Sequence, residues 1–92
     1  MNQDNWKRII QDELIGLEVR IIKARNQTLL GKRGKIIDET KNMIVIESEN
    51  GRVDKVLKDE VVLEIYKDYK AIEIDGKLLI GRPEDRIRKL KR

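Results

Sequence analysis

Short apolar runs with a period of two constrain the fold of this chain more than any other feature. Leu17, Val19 and Ile21 alternate with charged residues, and comparable runs recur to about residue 80. Ile and Val dominate the apolar residues, and such β-branched side chains favour strands. Asn50-Gly51 is a strong hairpin signal between two of the runs. The pattern therefore predicts a mostly β fold.

Successive strands are predicted to be short and joined by tight turns. Ile21-Ile22 breaks the alternation, which predicts a bulge or strong bend. Gly31 and Gly34 are expected to bracket a turn, and Asp75-Gly76 to close the last hairpin. After the strand that begins at Leu17, strands are expected over residues 34–40, 43–49, 52–57, 61–66, 71–74 and 77–80. So many short strands in so few residues favour a small, strongly bent antiparallel barrel.

The two ends of the chain differ from its middle. Trp6, Ile9, Ile10 and Leu14 recur at helical spacing before Gly16, and they form an apolar stripe on a predicted N-terminal helix. At the other end, Pro83 suits a first helical turn, so residues 86–92 can continue as a helix. We predict one domain over residues 1–92, with the helix in 1–16, the barrel in 17–80 and a basic tail in 81–92.

Basic residues are unevenly distributed along the chain. The protein has 21 Lys+Arg and 17 Asp+Glu, and the last eleven residues hold six basic and two acidic side chains. The excess of four therefore lies entirely in the tail, which predicts contact with a polyanion there, most often nucleic acid. Residues 20–35 contain six cations and no acid, and they form a second candidate contact. The candidate RNA-binding residues are Arg20, Lys23, Arg25, Lys32, Arg33, Lys35, Arg82, Arg86, Arg88, Lys89, Lys91 and Arg92.

Catalytic constellations are not evident in the sequence. The chain has no Cys, no His and a single serine, Ser48, which excludes thiol nucleophiles, Ser-His-Asp triads and Cys/His zinc sites. Asp38-Glu39 and Asp59-Glu60 are expected to be solvated turn residues rather than a metal or acid–base site. We expect no bound cofactor or metal on this chain. The absence of a long apolar run predicts no membrane contact and a soluble, intracellular, cytoplasmic protein.

Three motifs in this order resemble a known family. They are Glu13-Leu14-Ile15-Gly16-Leu17, then Gly31-x-x-Gly34 with Asp38-Glu39-Thr40-x-Asn42, and finally Gly81-Arg82-Pro83-Glu84-Asp85-Arg86. Together they are similar to the archaeal ribonuclease P protein subunit called protein component 1, which has an Sm-like/SH3-like barrel. The resemblance covers the chain from about residue 11 onward. Many relatives carry His just before the Glu-Leu-Ile-Gly run, whereas this chain has Asp12.

The resemblance implies an accessory role in maturing transfer RNA. In this family the RNA subunit removes the 5′ leader of precursor tRNA with magnesium that the RNA binds, so the protein contacts the precursor only indirectly. The implied partners are ribonuclease P RNA and a small zinc-ribbon subunit of the same particle. The stripe of Trp6, Ile9, Ile10 and Leu14 would then bind the zinc-ribbon subunit.

Two other readings compete with this one. Gly31-Lys32-Arg33-Gly34-Lys35-Ile36 resembles the loop and strand of KOW modules, which would make the chain a ribosomal or translation-associated RNA-binding barrel. A protein-interaction module that uses the N-terminal stripe without RNA is a different class. A steep salt dependence of binding would favour RNA over an apolar protein interface.

Overall fold

Six antiparallel strands form one sheet in the structure, a computed structural model that describes residues 14–81. The strands are β1 (Glu18–Ala24), β2 (Arg33–Glu39), β3 (Met43–Glu47), β4 (Val53–Leu57), β5 (Val61–Lys67) and β6 (Lys70–Asp75). Their order across the sheet is β4-β3-β2-β1-β5-β6. Single 3₁₀ turns over Gln27–Leu29, Lys58–Glu60 and Gly76–Leu79 complete the described elements. The predicted mostly β fold is confirmed.

One face of this sheet is apolar. The four inner strands bury alternate positions, the end strands β4 and β6 bury one side chain each, and together these form one cluster with residues from outside the strands. Within residues 14–81 no second layer covers that face, so the sheet bends round its own apolar side chains. The buried cluster consists of Leu14, Val19, Ile21, Ile36, Ile44, Ile46, Val56, Val61, Leu63, Ile65, Ile74 and Leu79.

Two irregularities help the sheet to bend. The pairing of β1 with β5 shifts register between Ile21 and Lys23, which confirms the predicted break at Ile21-Ile22. A second shift, between Ile36 and Asp38, interrupts the pairing of β2 with β3. An extra residue in one strand increases the local twist and bends the strand. Both bulges lie in the two strands at the centre of the sheet.

The prediction for the last hairpin was wrong. The turn lies at Asp68-Tyr69, between β5 and β6, and both residues have positive φ, 54° and 64°. Asp75 instead caps the third 3₁₀ turn, because its side chain accepts a hydrogen bond from the Lys77 amide at 3.0 Å. Residues 77–80 therefore form no strand, and Leu79 points into the core.

Gly34, predicted to end a turn and begin a strand, belongs to the strand. It lies inside β2, on the buried face, and pairs with Val19 of β1. A Cβ built on Gly34 would overlap the Glu47 carbonyl oxygen and would lie 2.9 Å from Cγ2 of Ile46. The glycine is therefore required for the close approach of β3 rather than for a turn. Gly31, with φ of 83°, is the turn residue.

The predictions for the two ends fall mainly outside the described residues. This applies to residues 1–13 of the predicted helix, including Trp6, Ile9 and Ile10, and to residues 82–92 of the basic tail. Leu14 is described: it is fully buried in the sheet's own cluster and is followed by a turn at residues 15 and 16. Its side chain packs inside this chain, which contradicts the prediction that Leu14 contacts a partner.

Candidate nucleic-acid interface

The six cations of residues 20–35 are spread over the first two strands and the turn between them. Arg20 and Arg33 are directly opposite each other on β1 and β2, on the face away from the core. Lys35 and Lys23 occupy outer positions on the same two strands. Arg25 follows β1, and Lys32 is half-buried just before β2. The fold therefore brings Arg20, Arg33 and Lys35 together, while Arg25 and Lys32 lie at strand ends.

Acidic residues from three strands of the sheet lie among these cations. Arg20 Nη2 is 3.3 Å from Glu64 Oε1, and Arg33 Nε is 3.6 Å from Glu18 Oε2. Lys32 Nζ is 3.4 Å from Asp54 Oδ2. The segment has no acid along the chain, but the fold supplies acids from β1, β4 and β5. Carboxylates therefore lie among the cations of this surface, although residues 20–35 contain none.

Tyr66 joins this outer face, and the sequence analysis did not identify it. The guanidinium carbon of Arg33 lies 4.7 Å from the centroid of the Tyr66 ring, which is a cation–π contact. Tyr66 Oη donates a 2.5 Å hydrogen bond to Glu64 Oε1, and this bond is the main reason that the pKa of the phenol is raised. Tyr66 could have been found from its place in β5, because it falls in the opposite phase to Leu63 and Ile65.

We call Glu18, Arg20, Arg33, Glu64 and Tyr66 the outer-face cluster. Two arginines directly opposite each other repel, and each is balanced by one carboxylate. The arginine side chains remain 47% and 59% exposed, so their outer N–H donors can still reach a phosphate. Arg also grips phosphate bidentately. The cluster can therefore hold a phosphate, or a base stacked on Tyr66, at the cost of weakening the ion pairs.

A second group of cations borders a shallow groove near the end of β1. Its lining includes both cations and carboxylates, so its charge is mixed rather than basic. The groove has three carboxylates beside three cations, and unlike the outer-face cluster its lining has no aromatic ring on which a base could stack. Its charged lining residues are Lys23, Arg25, Lys77, Asp59, Glu60 and Asp75.

The most unusual charged residue is Lys58, which sequence reasoning did not single out. It is fully buried, in the second 3₁₀ turn, and its Nζ lies 2.7 Å from Glu39 Oε2. The ammonium also donates to the carbonyl oxygens of Thr40 at 2.8 Å, Lys41 at 3.1 Å and Gly81 at 3.1 Å. A buried charge is tolerated when it is paired and hydrogen-bonded in this way.

This lysine connects the three motifs quoted from the sequence. Its partners Glu39, Thr40 and Lys41 belong to the second motif, and Gly81 begins the third. Leu14 of the first motif donates its amide to the other Glu39 oxygen, Oε1, at 3.4 Å. Lys58 itself lies in none of the three motifs, so nothing in the sequence indicated that it would connect them.

The two adjacent acidic pairs, Asp38-Glu39 and Asp59-Glu60, differ in their exposure to solvent. Asp38 and Asp59 are exposed and Glu60 is half-buried, whereas the side chain of Glu39 is only 4% exposed. The prediction that Glu39 is a solvated turn residue was therefore wrong, because it is the counter-ion of Lys58. Among residues 14–81, no group of three or more His, Cys, Asp or Glu side chains is placed to hold a metal ion. No helix in this part of the chain is long and apolar enough to cross a membrane.

Comparison with known proteins gives one consistent family. The family model described as ribonuclease P/MRP, subunit p29, matches residues 7–89. Ribonuclease P protein component 1 of Methanocaldococcus jannaschii is 46% identical over 81 residues, which are 88% of this chain and 85% of that protein. The protein of the same name from Desulfurococcus amylolyticus is 42% identical over 89 residues, covering 96% and 97%.

A solved structure is also similar to this chain. It is that of a homologue of the human RNase P protein Rpp29, and it matches with a TM-score of 0.58 and 39% sequence identity. The match covers 80% of this chain and 96% of the solved one. At this identity, the likeness extends to sequence as well as to fold.

Proposed function

This chain belongs to the ribonuclease P/MRP subunit p29 family, and we infer that it is a protein subunit of ribonuclease P. In that role it binds RNA and supports the catalytic RNA as it removes the 5′ leader of precursor tRNA. The observation that carries this function is the match of the family model to residues 7–89, together with 46% identity to ribonuclease P protein component 1. We expect the six-stranded sheet to be the Sm-like barrel of that subunit.

The chemistry of the described residues supports an accessory role. Two arginines and a tyrosine are exposed on one sheet face, and the buried polar pair holds the fold together rather than facing solvent. We propose that hydrolysis uses magnesium bound by the RNA, and that this chain supplies contacts to the RNA backbone. The proposed protein partner is the small zinc-ribbon subunit, bound through Trp6, Ile9 and Ile10.

The RNA contact is tested by the salt dependence of binding to ribonuclease P RNA of Methanocaldococcus jannaschii transcribed in vitro. Arg88→Gln, Lys89→Gln and Lys91→Gln in one protein should weaken binding and flatten the plot of log K against log salt. Each lost phosphate contact should reduce the slope by about 0.7–0.9. The matched control replaces Lys55, Lys70 and Lys77, which are exposed residues of the described sheet and its third 3₁₀ turn, by Gln. Equal effects of the two triple variants would show that the tail contributes only net charge and makes no specific contact with the RNA.

The outer-face cluster gives a second prediction. Arg20→Gln with Arg33→Gln should lower the salt slope by about 1.5, because two partly exposed guanidinium groups are lost. Lys55→Gln with Lys70→Gln removes the same charge from the two end strands and should change the slope by less than about 0.5. If the arginine pair has no more effect than the lysine pair, the two arginines form ion pairs within the protein and do not contact the RNA.

A further inference from the structure

The buried ammonium of Lys58 lies where two distant parts of the chain meet. Three of its acceptors come from the end of β2 and the turn after it, and the fourth is the carbonyl of Gly81. Gly81 is the first residue of the basic tail and the last that the structure describes, and its own amide donates to the Lys41 carbonyl at 2.8 Å. The start of the tail is therefore fixed by hydrogen bonds through both its amide and its carbonyl.

The carboxylate of Glu39 makes the corresponding contact with the other end of the chain. Oε2 faces Lys58, and Oε1 accepts the 3.4 Å hydrogen bond from the Leu14 amide. Leu14 is the first described residue, and its side chain is held in the core. One ion pair thus links the point where residues 1–13 join the sheet to the point where residues 82–92 leave it.

We propose that Lys58 and Glu39 are positioning residues that set these two departure points side by side. Residues 1–13 and residues 82–92 then join the described sheet next to each other, so that RNA bound through the tail lies beside a protein partner bound through the N-terminal segment. This inference rests on the proposed function, in which the tail contacts RNA. Lys58 and Glu39 contact neither partner themselves; they act through Gly81 and Leu14.

Stability alone gives a poor account of the pair. The twelve other residues of the buried core are all apolar, and Lys58 is the one charged residue among the described buried side chains. Replacing a buried ion pair by apolar residues is often neutral or stabilising. An apolar side chain fills space but does not hold a carbonyl in a given direction, whereas the ammonium contacts the Gly81 carbonyl at 3.1 Å. The hydrogen bonds therefore fix the orientation of the Gly81 backbone, and with it the direction in which the chain leaves the sheet.

The test compares Lys58→Met with Ile65→Ala in the full chain. Ile65 is fully buried in β5, is not among the residues that bond Lys58 or Glu39, and its truncation also removes core stability. Binding to Methanocaldococcus jannaschii ribonuclease P RNA is titrated from about 0.1 to 0.4 M salt, at a temperature where both variants are folded by circular dichroism. Amide hydrogen exchange of Leu14 and Gly81 is measured beside that of Leu63.

We expect Lys58→Met to bind at least about tenfold more weakly at 0.1 M salt, with a salt slope that falls toward that of a chain lacking residues 86–92. Leu14 and Gly81 should exchange much faster while Leu63 stays protected. Ile65→Ala should keep the wild-type slope. If Lys58→Met fails to fold, Glu39→Gln replaces it, since it removes the countercharge and keeps an acceptor for the Leu14 amide.

The outcomes separate the two proposals. A wild-type slope in Lys58→Met, or in Glu39→Gln where that variant replaces it, overturns the positioning role, and so does an equal loss in Ile65→Ala. If deleting residues 86–92 from the wild-type chain leaves the slope unchanged, the tail does not contact RNA, and it is the proposed RNA contact that fails. In that case accelerated exchange at Leu14 and Gly81 still decides whether the ion pair holds the two departure points.

Discussion

Lys58→Met is expected to lower the free energy of unfolding by about 3–5 kcal/mol, the usual cost of removing one partner of a buried ion pair. The variant removes the ammonium that lies 2.7 Å from the Glu39 carboxylate, whose side chain is 4% exposed, and it removes the donor to three carbonyl oxygens. In a domain of this size each kcal/mol corresponds to roughly 4–8 °C in Tm. Thermal and denaturant unfolding measure the loss.

Two further variants identify the cause of that loss. Lys55→Met removes a lysine from the exposed face of β4 and should change stability by no more than about 0.5 kcal/mol. Lys58→Met with Glu39→Leu should recover part of the loss, because no uncompensated charge remains buried. A loss of unfolding free energy below about 1 kcal/mol in Lys58→Met would contradict the presence of a buried ion pair. A double variant no more stable than Lys58→Met would assign the loss to the carbonyl contacts instead.

The strands could be predicted because their signal is local. Alternation at Val19, Ile21, Leu63 and Ile65 reports which side of the backbone faces the core, and the structure buries all four. The phase break at Ile21-Ile22 likewise coincided with a bulge. The loop around Asn50-Gly51 follows from local geometry too, since Gly51 has φ of 84°.

The last hairpin shows how local signals can compete. Asp75-Gly76 has the composition of a hairpin turn, but the Asp75 carboxylate caps a 3₁₀ turn instead. The true turn, Asp68-Tyr69, places two residues with Cβ atoms in the left-handed region, where glycine is preferred. Its position is fixed by the pairing of Lys67 with Lys70 and of Tyr66 with Ala71, which the turn's own sequence does not reveal.

The candidate site was only half predictable for a related reason. The sequence located the arginines, but pairing in the sheet decides their neighbours, and it places Glu64 beside Arg20. Lys58 was missed because a lysine before Asp59-Glu60 looks like an ordinary exposed turn residue. Its burial depends on Glu39 and Gly81, which are 19 and 23 residues away along the chain. No short-range pattern encodes such a contact.

The second large effect is expected at Gly76, which packs against the backbone of Lys58. A Cβ on Gly76 would overlap the carbonyl oxygen of Lys58 and would lie 2.8 Å from its carbonyl carbon and 2.9 Å from the Val61 carbonyl oxygen. All three atoms belong to the backbone, so no side chain can rotate away. Gly76→Ala should therefore force the second and third 3₁₀ turns apart and cost about 3 kcal/mol or more, as severe overpacking does.

Gly51→Ala is the matched control for this substitution. A Cβ on Gly51 meets nothing within 4 Å, but φ of 84° strains any residue other than glycine, so about 1 kcal/mol is expected from the backbone alone. Denaturant titration of both variants gives the difference. Because Gly76 presses on the residue that bonds Gly81, Gly76→Ala should also speed amide exchange at Gly81, and Gly51→Ala should not. Equal stability losses for the two variants would show that the 3₁₀ turns can separate at little cost. Packing against Gly76 would then not be what holds Lys58 in place.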